Sequence, residues 1–357
     1  MAEHFHALTV EEVVQETDEA VSIRFAVPYE LQEQYRFKAG QHLTLMAIVD
    51  GEEVRRNYSL CTAPAEGQLM VTVKRIAGGL FSNWAGDNLK AGERVAVMPP
   101  HGSFTVPFAP ENRKRYVAFA GGSGITPIMS LIKAALSVEP ESRFTLFYGN
   151  RDSRSIIFLE ALADLKDSYI GRLELFHFLA EEEGDVPLFN GMLDAERCAE
   201  AVEHLVDEPQ AVDEWFICGP GPMMDAAEQV LVGKGIARER IHIERFTAGR
   251  PSAGEAAQIA KIQQEASGLQ IAVTLDGRTR KIEFDGSNIL DSARKAGMPA
   301  PFACKAGVCA TCRAKLTGGK VEMAVHYGLT DEEIADGYVL TCQSVPCGEG
   351  VAVDYDS

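Results

Sequence analysis

Four cysteines place the strongest constraint on what this chain can fold into. Cys304, Cys309 and Cys312 follow one another as C-x4-C-x2-C, and Cys342 comes twenty-nine residues after Cys312. This is the spacing by which four thiolates enclose a [2Fe–2S] cluster, three ligands coming from one tight loop and the fourth from a distant segment. Such a loop must turn its backbone N–H groups toward sulfide, which favours small residues, and Ala306, Gly307, Ala310 and Thr311 stand there. A structural zinc site would show two close cysteine pairs, which this pattern does not. Cys347, five residues beyond Cys342, is the alternative fourth ligand. Of the remaining cysteines, Cys61 and Cys198 read as small buried hydrophobes. Eight cysteines in an intracellular chain argue for metal or redox chemistry over disulfides.

The 357 residues allow two or three domains, and the hydrophobic rhythm changes twice along them. Residues 1–109 read as short strands (VSIRFAV, HLTLMAIV, RRNYSLC, LMVTVKRI, RVAVMP) separated by turns at Asp50-Gly51 and Gly78-Gly79, with one short helix at Ser82–Leu89. That is the texture of an antiparallel β-barrel or sandwich. Residues 110–247 alternate apolar strands (YVAFA, FTLFYG, LELFHFL, WFICG, IHIERF) with helices near 127–138, 155–168, 194–206 and 222–233. This pattern predicts an α/β domain with a parallel sheet covered by helices, whose ligands bind beyond the carboxyl ends of the strands. Residues 248–268 read as a linker whose middle has the composition of a loose helix. Residues 269–357 open with a hairpin turning at Asp276-Gly277, continue into a helix (NILDSARKAG) and then enter the cysteine loop, an α+β arrangement.

Composition narrows the function. The net charge is −18 and no segment is basic, so the footprint of a nucleic-acid binder is missing; the acidity serves solubility, or docking at an acidic patch. The start, MAEHFHALTVEEVV, is not a basic stretch followed by an apolar one, and the longest apolar run, Tyr116 to Leu136, is interrupted by Gly121, Gly122, Gly124, Pro127 and Lys133. These features predict a cytoplasmic protein with no membrane partner.

Five motifs carry further chemistry. Ala120-Gly121-Gly122-Ser123-Gly124-Ile125-Thr126-Pro127 follows a strand and opens a helix. Its glycines permit close backbone approach and positive φ, Thr126 suits the N-cap and Pro127 the first helical position. It reads as a dinucleotide-binding loop or as a plain tight turn, since the G-x-G-x-x-G fingerprint is missed. After the next strand, Arg151 and Arg154 stand where NAD enzymes place an acid; they read as a 2′-phosphate site favouring NADPH over NADH, or as surface arginines. Cys218-Gly219-Pro220-Gly221 ends another strand at the same sheet edge, as a ligand loop or a simple strand-to-helix turn. In the first segment Arg56, Tyr58 and Ser59 supply a cation for a phosphate, an aromatic for a ring and a hydroxyl for a ring nitrogen, with Arg56 and Tyr58 on one strand face. Gly79 and Ser82 then open the short helix as a second phosphate site. His42 and His242 read as strand residues, and no hydrolase triad stands out.

Together these motifs resemble the ferredoxin–NADP reductase superfamily, in which a flavin barrel carrying R-x-Y-S is joined to a nucleotide domain carrying G-G-x-G-I-T-P and C-G-P. The added C-terminal cysteine pattern resembles plant-type ferredoxin, a β-grasp fold, and narrows the likeness to oxygenase reductases. The resemblance implies FAD (FMN in some relatives), with Arg56, Gly79 and Ser82 on its pyrophosphate, Tyr58 on the isoalloxazine, Ser59 near N5, and Val73 and Lys74 lining the site mainly through backbone. It places Thr126 at the flavin–nicotinamide junction, Cys218 beside nicotinamide C4, and Glu244 and Phe246 on the other side of the flavin. Ser59, Cys218, Glu244 and Phe246 are thus the implied catalytic set. The resemblance further implies electron flow from NADPH (NADH as alternative) through FAD and [2Fe–2S] to a di-iron epoxidase acting on the ring of phenylacetyl-CoA, docked near Lys305–Val308. A Rieske-type or other aromatic oxygenase is the alternative partner, and a sensor that holds flavin and cluster without turnover is the alternative class.

Overall fold

A computed structural model describes residues 5–247 and 253–357. Contacts divide the chain into two units, one of His6–Val54 with Tyr58–Glu244, the other of Met1–Phe5, Arg55–Asn57 and Arg245–Ser357.

The larger unit begins with strands β1 (His6–Thr17), β2 (Ala20–Ala26), β3 (His42–Val49), β4 (Glu52–Ser59) and β5 (Leu69–Lys74), then helix α1 (Leu80–Asn88) and strand β6 (Arg94–Val97). They form one sheet in the order β4-β3-β6-β1-β2-β5, closed into a ring by a bridge between Leu60 and Val71. Strand β1 is absent from the sequence reading. Bulges between Val10 and Glu12 and between Gln15 and Thr17 shift its register and break the period-2 alternation by which a strand is recognised. Inward residues such as Leu8, Ile23, Leu43, Leu45 and Val71 are fully buried, and Phe81 of α1 plugs the same core.

The α/β half follows: β7 (Arg115–Gly121), α2 (Ile125–Val138), β8 (Arg143–Asn150), α3 (Leu159–Ser168), β9 (Leu173–Leu179), α4 (Ala195–Leu205), β10 (Glu214–Cys218), α5 (Gly221–Gly233) and β11 (Ile241–Glu244). All neighbouring strands run parallel, in the order β11-β10-β7-β8-β9. Alternation along β7 sends Tyr116, Ala118 and Ala120 into the core under α2, and Val117 and Phe119 into the core under α4 and α5. The first core also takes in Ala39, Cys61 and Phe104 of the barrel half, and the Ser130 hydroxyl of α2 donates to the Thr62 carbonyl (2.6 Å). The order reverses between β7 and β10, so their carboxyl ends flank a switch-point crevice, where ligands of such sheets bind.

The second unit contains α6 (Ala253–Ala266), β12 (Gln270–Leu275), β13 (Arg278–Glu283), α7 (Ile289–Lys295), β14 (Arg313–Gly318), β15 (Val321–Met323), α8 (Asp331–Ala335), β16 (Tyr338–Leu340), β17 (Ser344–Pro346) and β18 (Ala352–Asp354). The sheet order β13-β12-β18-β14-β16, with β12 and β18 parallel and α7 packed in the same core, is the β-grasp arrangement. Asp276 and Gly277 both take positive φ at the hairpin turn, as a two-residue hairpin requires. The stretch expected as a linker carries helix α6, whose Ile259, Ile262 and Ala266 pack on this core; residues 248–252 lie outside the described residues.

Candidate functional site

On the barrel side, β4 sorts its motif by exposure. Arg56 is exposed, Tyr58 is half-buried against Phe81 (ring centroids 5.6 Å), and Ser59 is buried with no hydrogen-bond partner for its hydroxyl among the described residues. A hydroxyl desolvated without compensation is costly, so Ser59 fits a site completed by a ligand's polar atom. Val73 is fully buried, which leaves only its backbone for a ligand. The Lys74 ammonium reaches toward the loop after β7, 3.8 Å from where a Cβ on Gly122 would stand. At the start of α1, Ser82 Oγ accepts from the Ile76 N–H (3.3 Å) and donates to the Gly79 carbonyl (3.5 Å). Ser82 therefore shapes the turn, and the first N–H groups of α1 have no side-chain cap, the arrangement that receives phosphate.

The neighbouring Arg55 received no role in the sequence reading. Yet it is the buried arginine of the pair: its guanidinium donates to the Phe302 carbonyl (2.9 Å) and lies 4.0 Å from the Phe302 ring centroid.

On the nucleotide side, the loops after β7 and β10 interlock. A Cβ on Gly124 would stand 2.0 Å from the Cys218 carbonyl oxygen, and one on Gly121 would stand 2.6 Å from Pro220 and 2.8 Å from Met223. Gly219 faces Gly121 in return, its virtual Cβ 2.9 Å from the Gly121 nitrogen. These glycines are required by loop-on-loop contact; of the three in the first loop only Gly122 has positive φ (+51°). Helix α2 starts two residues earlier than expected. Gly124 is its N-cap, and Thr126 lies within the first turn, buried, donating to the Ser123 carbonyl (3.0 Å). A short turn at 122–124 displaces Thr126 and Pro127 from the positions that propensity assigns them.

Arg151 and Arg154 follow β8 and are exposed. Arg151 pairs with Asp152 (3.1 Å) and lies 3.8 Å from Glu19, while Glu182 accepts from both the backbone and the hydroxyl of Ser153 (2.9 and 2.8 Å). Arg151 thus stands beside Asp152, its sequence neighbour, and near Glu19, a carboxylate that the sequence reading did not bring to it.

Cys218 ends β10 beside Glu244, its register partner on β11. Burial, reinforced by the Glu244 carboxylate, pushes the Cys218 thiol well above the usual thiol range, so it is a protonated, compact wall. Glu244 is mostly buried, with Oε1 3.7 Å from Nδ1 of His42. Phe246 lies two residues past β11, exposed, and belongs with the C-terminal unit.

In that unit the four free thiols form two hydrogen-bonded pairs, Cys304 with Cys309 and Cys312 with Cys342. In each pair one sulfur is pulled below and the other pushed above the usual thiol range by sharing a proton. Among the described residues no three ligand groups converge on one point; two adjacent thiol pairs fit a two-iron cluster, which binds two thiolates per iron. Lys305, Gly307 and Ala310 all take positive φ, turning the loop backbone inward, and the Ala306 N–H donates to Cys304 Sγ (3.3 Å). Cys347 is exposed, beside Lys320 and Glu322, and belongs to neither pair.

Comparison with known proteins matches each part. Residues 7–106 match an oxidoreductase FAD-binding domain, 119–229 an oxidoreductase NAD-binding domain, and 273–347 a 2Fe-2S iron-sulfur cluster binding domain. The chain is 45% identical over 99% of its length to one of the subunits of the 1,2-phenylacetyl-CoA epoxidase of Escherichia coli, covering 98% of that protein. It is 38% identical over its full length to the ferredoxin reductase component of 3-ketosteroid-9-alpha-monooxygenase of Mycobacterium tuberculosis, covering 97% of it. Phthalate dioxygenase reductase shares the fold, with TM-score 0.59 at 22% identity and 98% of both chains covered.

Proposed function

We propose, from the premise that this chain belongs to the ferredoxin–NADP reductase-type oxygenase reductases with a C-terminal [2Fe–2S] domain, that it draws on NADPH and serves a di-iron epoxidase acting on phenylacetyl-CoA. That it is a nicotinamide-dependent oxidoreductase for electron transfer rests on its three matched domains. The 45% identity to a component of such an epoxidase, along essentially the whole chain, is the observation that carries the choice of partner. Bound FAD and [2Fe–2S] would turn the two-electron hydride of the nicotinamide into single electrons.

The residues of this chain bind, orient and exclude water. In this reading Arg56 and the N-terminus of α1, with Gly79 and Ser82, hold the FAD pyrophosphate. Tyr58 packs on the flavin ring and Ser59 supplies the hydroxyl at N5. The loop of Gly121, Gly122, Gly124 and Thr126, with Cys218, Gly219 and Pro220, receives the nicotinamide end. Cys218 presents a neutral wall and Glu244 a carboxylate beside it, and the family likeness assigns Phe246 to the flavin ring. Positioning at about 3–3.5 Å is the main demand of such a transfer. Cys304, Cys309, Cys312 and Cys342 hold the cluster, and the partner docks around Lys305–Val308. Among the described residues no helix is long and apolar enough to cross a membrane; pyridine nucleotide as electron source and thiols kept reduced support a cytoplasmic site of action.

The test is phenylacetyl-CoA-dependent NADPH consumption with the separately purified di-iron epoxidase components. Coupled substrate oxidation requiring both proteins is expected. Rapid dye reduction without coupling would move the partner to another oxygenase, and no turnover with any acceptor would favour a sensor. For the nucleotide, the double variant R151A/R154A should raise KM for NADPH about tenfold and leave KM for NADH within about twofold, the loss of a guanidinium–phosphate pair being worth about 1.4 kcal/mol or more. Equal effects on both would assign the arginines to the surface. Ser59→Ala should leave thermal stability unchanged or slightly raised, since its hydroxyl has no partner among the described residues, and slow flavin reduction about tenfold, the scale of one lost positioned hydrogen bond. An unchanged rate in stopped-flow would remove Ser59 from the site.

A further inference from the structure

Among the described residues Glu244 is the one carboxylate that acts on the Cys218 thiol, its register partner on the neighbouring strand. A carboxylate in such a place acts only if its side chain is held in one direction. What stands behind it comes from the other half of the unit. His42 opens β3, with 5% of its side chain exposed, and its Nδ1 is 3.7 Å from Glu244 Oε1. That distance is longer than a hydrogen bond, and a small rotation of the Glu244 side chain closes it.

The imidazole is itself fixed. His42 and His101 exchange backbone hydrogen bonds (2.9 and 3.0 Å), and their rings meet edge-on at 4.2 Å and 66°. His101 is anchored in turn by the Pro99 carbonyl at its Nδ1 (3.2 Å) and by Thr44 Oγ1 at its Nε2 (3.4 Å). Gly102 makes the room: a Cβ there would stand 2.8 Å from His42 Nδ1, the nitrogen that faces the carboxylate. Burial, then the His101 ring, holds His42 well below the usual histidine range. It therefore faces Glu244 as a neutral imidazole, not as a charge, which leaves the carboxylate's own charge in place toward Cys218.

We infer that His42, locked by His101 and given space by Gly102, is a positioning residue that orients the Glu244 carboxylate toward the Cys218 wall of the nicotinamide site. This rests on the reading of Glu244 as a residue of that site. His42 touches neither cofactor nor substrate in this role and acts through Glu244 alone.

The test uses the full-length holoenzyme and single-turnover flavin reduction by NADPH. His42→Leu, of similar volume, should slow reduction about tenfold, the scale of a modest misplacement of a positioned group, with KM for NADPH within about twofold and FAD content unchanged. His42→Asn, which keeps an N–H near the Nδ1 position, should restore the rate to within about threefold. The double variant H42L/E244Q should be no slower than E244Q. In flavin-free protein labelled with 15N-histidine, His42 should show the Nδ1–H tautomer, with its Nδ1 resonance shifted in E244Q; this readout does not depend on turnover or on a folded H42L. If E244Q reduces flavin at the wild-type rate, the reading of Glu244 falls and the inference with it. If E244Q is slow but the losses multiply in the double variant, or His42 Nδ1 carries no proton, Glu244 keeps its role and His42 loses its own.

Discussion

Replacing Cys312 by serine should empty the cluster site and stop electron delivery to the oxygenase while leaving NADPH–dye reduction within about twofold of wild type, because the dye takes electrons at the flavin. Cys312 is 2% exposed and is the pairing partner of Cys342. Its own carbonyl accepts from both the backbone and the hydroxyl of Thr341 (3.2 and 2.9 Å), so the backbone stays pinned after the sulfur is lost. Serine supplies a hydroxyl that cannot replace a soft thiolate and that costs about 1–3 kcal/mol when buried without a partner. Ligand binding is also folding free energy for a site of this kind. The second unit should therefore unfold at lower temperature and be cleaved faster by protease, while the unit of His6–Val54 and Tyr58–Glu244 melts as before. Iron content, the electron paramagnetic resonance of the reduced protein, and the two activities measured side by side decide the matter. If dye reduction falls in parallel while the larger unit still melts normally, the two chemistries are not separable in the way the fold suggests.

Gly124→Ala should be the most damaging single methyl group in the nucleotide half. Gly124 has φ −62° and ψ −13°, a conformation alanine adopts freely, so an argument from backbone freedom would predict a neutral or helpful change. The space forbids it. The new Cβ would stand 2.0 Å from the Cys218 carbonyl oxygen, 2.4 Å from its carbon and 2.7 Å from the Gly219 nitrogen, all backbone at the end of a central strand that no rotamer change can move. Overpacking of this kind costs about 3 kcal/mol, or roughly 6–12 °C in Tm for a unit of this size. Parting the two loops should slow flavin reduction about a hundredfold, since misplacement by an ångström has that effect. Gly122→Ala is the control. It meets nothing closer than Lys74 Nζ at 3.8 Å and suffers only its φ of +51°, a strain of about 1 kcal/mol. A G124A protein with wild-type Tm and rate would mean that the loops do not pack as described.

Much of this molecule is legible in its residues alone, and the failures have physical causes. The four ligand cysteines, the glycine loops and the R-x-Y-S strand are readable because each is a local pattern forced by local chemistry. Strand β1 is not, because two bulges destroy its alternation. Helix α6 is underestimated because its apolar positions, Ile259, Ile262 and Ala266, are few among alanines and glutamines; it becomes a packed helix only against the core of the second unit. The start of α2 is misplaced because Thr126 and Pro127 have the propensities of a helix entry, whereas the contact of Gly124 with Cys218 sets the entry earlier. Arg55 and Arg56 are indistinguishable as letters, and only burial separates them.

The sequence by itself determined the chemistry available: which side chains can bind iron, which loops can approach a phosphate, and, β1 and α6 apart, which segments are strand or helix. These follow from residue type and from spacing within a few residues along one chain. Tertiary structure decided partnership between distant residues. It joined Cys304 to Cys309 and Cys312 to Cys342, pressed the loop after β7 onto the loop after β10, surrounded Arg151 with carboxylates, and set His42 behind Glu244. Those two last residues are 202 positions apart in the chain. Packing two layers against one core brings their side chains within 3.7 Å, and no periodicity or composition carries that information.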